Sequence, residues 1–150
     1  MKQFSALSNL QIDDYFRGRP EYGGTYSKDM LPKKMQNNKF YIINLDDSSG
    51  PGSHWSVSSS YGKHVIYFDP FGVTCPINAL RFMKSIKKPM YYSTTTLQDI
   101  KSELCGYYCI YIIEQMVNGR DFVDIIAEDF QNDEPSNDRY IKKYFKNVQF

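Results

Sequence analysis

Cys105 is the residue of this chain best placed for nucleophilic chemistry. It stands at the head of a strongly apolar, helix-like run and is followed at once by Gly106. A thiolate at a helix N-terminus is stabilised by the helix dipole and by the backbone N–H groups at that end. Those N–H groups can also donate to an oxyanion, the charged oxygen that forms when a thiolate attacks a carbonyl.

Two further side chains fit this chemistry. His54 lies in the glycine-rich stretch Gly50-Pro-Gly-Ser-His-Trp55, directly before a predicted strand, and Gln98 precedes Cys105 by seven residues. His54 can act as the base for the thiol, and Gln98 can add a second donor to the oxyanion. Each residue alone has a simpler explanation, because cysteine is most often a core residue and glutamine most often faces solvent. In combination they predict a cysteine peptidase.

Asp69 can supply the acid that orients the imidazole. It ends a strand-like run and opens the turn Asp-Pro-Phe-Gly72. The strands predicted at 54–61 and 64–69 are joined by a short Tyr-Gly-Lys turn and should pair as a hairpin. His54 and Asp69 are then near opposite each other across the hairpin, where a carboxylate can hold one ring nitrogen. An aspartate before proline is also a common turn residue.

The neighbouring cysteine and tryptophan have alternative explanations. Cys109, one helical turn after Cys105, is interpreted as a core residue. A zinc site is not predicted, because only His54 and His64 are available as further ligands and no Cys-x-x-Cys spacing occurs. Trp55, the only tryptophan, is expected either to line the site beside His54 or to anchor the hairpin.

The order His, acid, Gln, Cys resembles that of the adenovirus-type maturation proteases (adenain) and of their relatives that process ubiquitin-like proteins. Gly-Ser-His-Trp55 and Phe68-Asp-Pro-Phe-Gly72 are similar to the family's His and acid motifs, with Asp69 where adenovirus enzymes usually carry Glu. Leu104-Cys-Gly-Tyr-Tyr-Cys109 is similar to the nucleophile motif. The seven-residue interval from Gln to Cys favours the adenovirus type, because the other branch typically has one residue fewer and Asp before the Cys.

Two more segments carry the resemblance. Tyr22-Gly-Gly-Thr-Tyr-Ser-Lys-Asp-Met-Leu-Pro32 is similar to a segment near the family's N-terminus. The predicted helix around Asn137-Asp-Arg-Tyr-Ile141 resembles that of related enzymes in smaller double-stranded DNA viruses and virophages.

The resemblance implies an α+β, papain-like or adenain-like fold. In that fold a mixed β-sheet packs on a central helix that carries the nucleophile, with peripheral helices around it, here as one domain over residues 1–150. It also implies that Cys105 is the nucleophile, His54 its base and later acid, and Asp69 the orienting group. Gln98 and the backbone N–H of Cys105 would form the oxyanion hole, and Trp55 and Gly106 would line the site.

The implied substrate is a viral capsid or core precursor, cut at small residues such as glycine during virion maturation, in the host cell and the virion. No cofactor is expected to be required. A disulfide-tethered peptide activator, as in adenovirus enzymes, would have only Cys75 available between the acid and the Gln. A DNA activator or other nucleic-acid partner has little support, because the net charge is only +1 and the local basic patch is small: Arg81, Lys84, Lys87 and Lys88.

Two other functions remain open. One is a protease that removes ubiquitin-like modifiers, and the other is a non-catalytic binding module of the same fold. Composition sets further bounds, because 150 residues suit one domain with one core. Three cysteines and the absence of a secretory signal after Met1 predict a reducing, intracellular compartment. No apolar run is long enough to span a bilayer, so no membrane partner is expected.

The pattern also predicts the elements that must position these residues. A capping-box spacing starts a helix at Ser8 that ends near Gly18. The other predicted elements, in chain order, are a Gly/Pro/Asn-rich loop at 18–38, a buried strand at 40–45, the hairpin, a helix at 77–86, a strand at 91–97, a buried helix at 105–118 ended by Gly119, and a surface helix pair after residue 121.

Overall fold

The computed structural model describes residues 3–46 and 54–150. Over these ranges the chain forms five strands, five α-helices and one short 3₁₀ helix. The helices are α1 (Asn9–Phe16), α2 (Ile77–Lys84), α3 (Cys105–Val117), α4 (Phe122–Asp129) and α5 (Glu134–Tyr144), and the 3₁₀ helix is Lys28–Met30. The strands are β1 (Tyr22–Ser27), β2 (Phe40–Asn44), β3 (Trp55–Ser59), β4 (Val65–Phe68) and β5 (Met90–Tyr92).

The five strands form one mixed sheet in the order β1-β2-β3-β4-β5. The two outer pairs, β1 with β2 and β4 with β5, are parallel, whereas β2, β3 and β4 pair antiparallel. The predicted hairpin is therefore confirmed, with Val57 opposite Phe68 and Ser59 opposite Ile66. Because β3 and β4 are antiparallel, the start of β3 and the end of β4 lie at the same edge of the sheet.

Apolar side chains cover both faces of the central strands. On one face, residues such as Ile42, Val57 and Phe68 pack with α3 in the larger core cluster. On the other, residues such as Ile43 and Tyr67 pack against α2 in a second cluster. Side chains alternate across a strand, so apolar residues at consecutive positions require a covered layer on each side. The near-continuous apolar run at Phe40–Asn44 is accordingly buried throughout.

Helices α1 and α3 form as the sequence predicts. Ser8 caps α1, with its Oγ accepting from the N–H of Gln11 at 3.1 Å while Gln11 Oε1 accepts from the N–H of Ser8 at 2.9 Å. Helix α3 is buried on nearly every face and ends before Gly119, whose φ of 95° lies in the left-handed region. No helix within the described ranges is long and apolar enough to cross a membrane.

The prediction of a loop over residues 18–38 is wrong, because this segment contains β1 and the 3₁₀ helix. Strand β1 pairs with β2 from Tyr22 to Ser27 with a register shift at its glycines. A side chain at Gly23 would lie 2.5 Å from the Tyr41 ring, and Gly24 has a φ of 127°. These glycines permit the irregular, close approach to β2, and the same residues remove the apolar alternation that marks a strand.

The strand predicted at 91–97 is also shorter than expected. Strand β5 ends at Tyr92, and the chain then leaves the sheet. The N–H groups of Leu97 and Gln98 both donate to the carbonyl oxygen of Pro70, at 2.8 and 3.1 Å. The segment therefore forms its hydrogen bonds with the turn after β4, and its Thr- and Tyr-rich composition does not produce a longer strand.

Candidate active site

His54 is fixed at the edge of the sheet where β3 begins. Its carbonyl oxygen accepts from the N–H of Leu45 at 2.9 Å, which continues the pairing between β2 and β3. Its side chain is 17% exposed. The preceding part of the glycine-rich stretch, residues 50–53, lies outside the described residues. The imidazole is therefore held by a backbone that is already part of the sheet.

Asp69 follows the last residue of β4 and is fully buried. The Nε2 atom of His54 lies 2.9 Å from each of the two carboxylate oxygens of Asp69. Oδ1 of Asp69 also accepts from the N–H of Phe71 at 2.8 Å, and its carbonyl accepts from the N–H of Gly72 at 2.8 Å. The two interpretations of Asp69 are therefore compatible, since it both caps the turn and contacts the imidazole.

Phe71 is a site residue that the sequence reasoning missed. Its ring stacks on the imidazole of His54, with centroids 4.8 Å apart and planes at 16°. The hairpin register contained the signal: β3 and β4 pair Val57 with Phe68, and continuing that register three residues outward places His54 level with Phe71. The stacked ring covers one face of the imidazole and so restricts its rotation.

Cys105 is the first residue of α3 and is 4% exposed. Its sulfur is hydrogen-bonded to the side chain of His54. Because Nε2 of His54 is occupied by Asp69, Nδ1 is the ring nitrogen left for this sulfur. The first N–H groups of a helix have no acceptor within that helix, so the backbone at this position suits an anionic group.

The electrostatics of the site favour a charged imidazole. Burial opposes the charge on His54, but hydrogen bonds to Asp69 and Cys105 and the negative charge on these two groups outweigh burial. Together they raise the pKa of His54 to about 9. The imidazolium is thus the stable form of His54 at neutral pH.

Gln98 is fully buried, which excludes the solvent-facing alternative. Its side-chain Nε2 donates to the carbonyl oxygen and to the hydroxyl oxygen of Ser102, both at 3.0 Å. The N–H of Ser102 in turn donates to the carbonyl of Asp99 at 2.9 Å. The chain between Gln98 and Cys105 therefore turns back before the helix starts, as the spacing predicts, and ties the carboxamide to the residue three positions before Cys105.

The arrangement of the sheet and the helices is shared with a solved structure. The chain has the fold of a viral cysteine protease. The structure of the pS273R protease of ASFV matches 91% of this chain with a TM-score of 0.62 and 14% sequence identity, and its selenomethionine form matches 91% with a TM-score of 0.56 and 16% identity. The matches cover 66% and 67% of those chains. At this identity the similarity establishes the fold and confirms the predicted α+β class.

No sequence profile of a protein family matches the chain, and no curated protein matches it. The adenovirus type therefore remains an inference from the motifs. The first protease structure is longer, since this chain spans 66% of its length.

Within this protease fold, Trp55 is a buried anchor. It is 3% exposed, and its indole N–H donates to the carbonyl oxygen of Leu7 at 2.8 Å. Gly106 makes this approach possible, because a side chain there would lie 3.2 Å from Leu7 and 3.3 Å from Trp55. The residue after Cys105 therefore lets the N-terminal segment pack against the head of α3.

The two other cysteines are less suited to nucleophilic chemistry. Burial raises the pKa of the Cys75 thiol to about 12. Cys109 is completely buried, and its burial, together with the charges of Cys105 and Asp69, raises its thiol pKa well above the ordinary value. No disulfide joins these cysteines, all of which lie in the described ranges, and no three His, Cys, Asp or Glu side chains there form a metal-binding group.

One residue of the basic patch that could bind nucleic acid has a structural role instead. The Nζ of Lys88 donates to the carbonyl oxygens of Ser60 and Gly62, at 2.8 and 2.7 Å. Lys88 therefore holds the turn between β3 and β4. The remaining members, Arg81, Lys84 and Lys87, are exposed.

Proposed function

We propose that this protein is a cysteine endopeptidase of the adenain-like type. Cys105 is the nucleophile, His54 the proton carrier and Asp69 the group that orients it. The observation that carries the proposal is the geometry of His54, with Nε2 between the two oxygens of Asp69 and the other side hydrogen-bonded to the Cys105 sulfur. The fold shared with a protein named as a protease supports it further.

The first half of the reaction breaks the peptide bond. The proton of the Cys105 thiol passes to His54 before the substrate binds, because the raised pKa of His54 favours the imidazolium, and the resulting thiolate attacks the carbonyl carbon of the substrate to form a C–S bond. The electron pair of the C=O bond moves to oxygen and produces an oxyanion. When the oxyanion collapses, the C–N bond breaks, and His54 gives its proton to the leaving amine. The raised pKa of His54 supports this step, since the imidazolium that must form is already favoured.

The oxyanion requires donors that are in place before the reaction. The backbone N–H of Cys105 at the head of α3 and the carboxamide of Gln98 are assigned to this task. One such donor is commonly worth about 3 to 4 kcal/mol of transition-state stabilisation. The burial of Gln98 supports the assignment, because a donor in a site without solvent keeps its orientation and its electrostatic strength.

The second half of the reaction releases the acyl group. His54, now neutral, removes a proton from water, which attacks the thioester and forms a second oxyanion at the same donors. The C–S bond then breaks, which leaves the Cys105 sulfur as a thiolate beside the imidazolium of His54. Asp69 holds the imidazole in place and stabilises the imidazolium at each step.

The proposed substrates are viral capsid or core precursors, cut at small, glycine-containing sites. The motif resemblance supports this substrate class, and the fold shared with a protein named as a protease supports a protein substrate. Glycine would suit a narrow groove, because a residue without a side chain lets the substrate backbone approach closely.

The test uses a proteome-derived peptide library, with new termini identified by mass spectrometry. We expect cleavage after small residues by the wild-type protein and none by Cys105→Ala. A reporter that carries the C-terminus of a ubiquitin-like protein tests the alternative activity. Cleavage of that reporter alone would favour a protease of modifiers, and no Cys105-dependent cleavage of either substrate would indicate a non-catalytic module.

A further inference from the structure

We infer that Ser102 is the positioning residue of the oxyanion hole. Its carbonyl and hydroxyl oxygens hold the carboxamide of Gln98 in the orientation in which nitrogen, and not oxygen, serves the reaction. The inference rests on the proposed function, because it assigns a task within the same site.

The contacts of Gln98 determine which end of its carboxamide faces Ser102. Nε2 lies 3.0 Å from both oxygens of Ser102, whereas Oε1 is buried and has no hydrogen-bond partner in the described part of the chain. A backbone carbonyl can only accept hydrogen bonds. If the carboxamide were flipped, its oxygen would face the Ser102 carbonyl at the same distance, and two acceptors would repel each other.

The backbone around Ser102 is well suited to this task. The N–H of Ser102 donates to the carbonyl of Asp99 at 2.9 Å, and the N–H of Lys101 donates to Oδ1 of Asp99 at 3.0 Å. This turn fixes the backbone of Ser102, which lies between Gln98 and α3 in the chain. On the other side, the N–H of Gln98 is anchored to Pro70 at 3.1 Å. Both ends of the contact are therefore held by backbone hydrogen bonds.

A carboxamide nitrogen has two N–H donors, and Ser102 offers two acceptors. An oxyanion is a stronger acceptor than a neutral hydroxyl, because charge-assisted hydrogen bonds are about twice as strong. One N–H can therefore move from the hydroxyl of Ser102 to the oxyanion while the carbonyl retains the other. Until then the hydroxyl keeps the carboxamide from rotating, so only the exchange of one acceptor is needed when the charge develops.

The experiment is a double-mutant cycle of Ser102→Ala and Gln98→Ala, measured with a peptide that the wild-type protein cleaves. Ser102→Ala is expected to lower kcat by about three- to tenfold, the range for loss of one hydrogen bond, with KM unchanged. Ser102→Thr, which keeps the hydroxyl, should restore most of the rate. In the Gln98→Ala background, Ser102→Ala should have no further effect, since the hydroxyl acts only through the carboxamide.

Two controls separate positioning from folding. Alkylation of Cys105 by iodoacetamide forms no oxyanion, so its rate should be the same in wild type, Ser102→Ala and Gln98→Ala. The matched variant is Ser93→Ala, which removes another half-buried serine whose Oγ accepts a turn N–H, that of Thr95 at 3.2 Å. Ser93→Ala should retain the wild-type kcat.

The outcomes distinguish this inference from the proposed function. A wild-type protein without Cys105-dependent cleavage overturns both. If the wild type cleaves and Gln98→Ala lowers kcat, an unchanged or faster Ser102→Ala enzyme overturns only the inference. The inference would also be overturned if the effects of Ser102→Ala and Gln98→Ala on kcat were fully additive. Ser102 would then act independently of Gln98.

Discussion

The Nε2 atom of His54 lies equally close, at 2.9 Å, to the two carboxylate oxygens of Asp69. This contact occupies one side of the imidazole and leaves Nδ1 for the Cys105 sulfur. Asp69 itself cannot turn away, because its Oδ1 also accepts from the N–H of Phe71 at 2.8 Å. The turn after β4 therefore sets the orientation of the imidazole. That orientation leaves Nδ1 to accept the proton of the Cys105 thiol.

Replacement of Asp69 by asparagine should impair catalysis more than folding. The oxygen of Asn would remain at the N–H of Phe71, so its NH₂ group would take the place of Oδ2 beside Nε2 of His54. This arrangement favours the wrong imidazole tautomer, and peptide cleavage should fall by about tenfold or more. Steady-state kinetics and thermal unfolding check the result. Asp69→Glu keeps the carboxylate and should be less impaired. A variant that unfolds while its folded fraction keeps full specific activity would make Asp69 purely structural.

The raised pKa of His54 also predicts how stability depends on pH. The pKa is about 9 in the folded protein and 6.5 in the unfolded reference. The contribution of the imidazolium is therefore fully present below pH 6.5 and is lost as pH rises to about 9, because the unfolded chain releases its proton first. Urea unfolding should show a loss of up to about 3 kcal/mol across this interval.

Other groups titrate near the upper end of this pH range, so a matched variant is needed. His54→Gln removes the imidazole and leaves the remaining groups, including Cys75, whose pKa is raised to about 12. The difference in free energy of unfolding between wild type and His54→Gln should decline from pH 6.5 to 9. A difference that stays constant over this interval would contradict the assigned interactions of His54.

Iodoacetamide should distinguish Cys105 from the other thiols. Burial favours the neutral thiol at Cys75 and Cys109, whereas the head of α3 and the neighbouring imidazolium of His54 suit a thiolate. At pH 7, peptide mapping should find Cys105 alkylated about ten times faster than Cys75 or more. His54→Ala should remove this advantage. If Cys105 reacts only at alkaline pH, like an ordinary thiol, it is not an activated nucleophile.

Much of the fold follows from local patterns in the sequence. The capping box at Ser8, the turn around Gly62 and the apolar run of α3 each depend on residues close together in the chain, and each prediction is confirmed. The contact between His54 and Asp69 could also be expected, because two strands joined by a short turn bring their outer ends together.

The remaining features depend on contacts distant in sequence. Strand β1 forms only because β2 lies beside it, and its glycines carry no strand signal of their own. The role of Ser102 depends on a turn that a serine in a polar loop does not reveal. The carbonyl of Pro70 accepts from both Leu97 and Gln98, and no periodicity in the sequence indicates such a bond.

The last prediction concerns Gly72. This glycine lets the turn after Asp69 approach the loop that leads to Gln98. Its φ is 72°, and a side chain there would lie 2.6 Å from the carbonyl oxygen of Thr94. Gly72→Ala should therefore combine backbone strain with displacement of this loop. Gly62 is the matched control, because its φ of 85° imposes the same strain while no atom lies within 4 Å of the added side chain.

The two variants should differ in stability and in catalysis. Gly62→Ala should lower the free energy of unfolding by about 1 to 2 kcal/mol, the cost of a left-handed alanine. Gly72→Ala should cost more, and it alone should lower kcat, because the loop that it pushes away carries Gln98 and is bonded to Pro70, the residue after Asp69. Urea unfolding and peptide cleavage measure both effects. Equal losses in the two variants, with kcat unchanged, would mean that the close approach at Gly72 has no part in aligning the site.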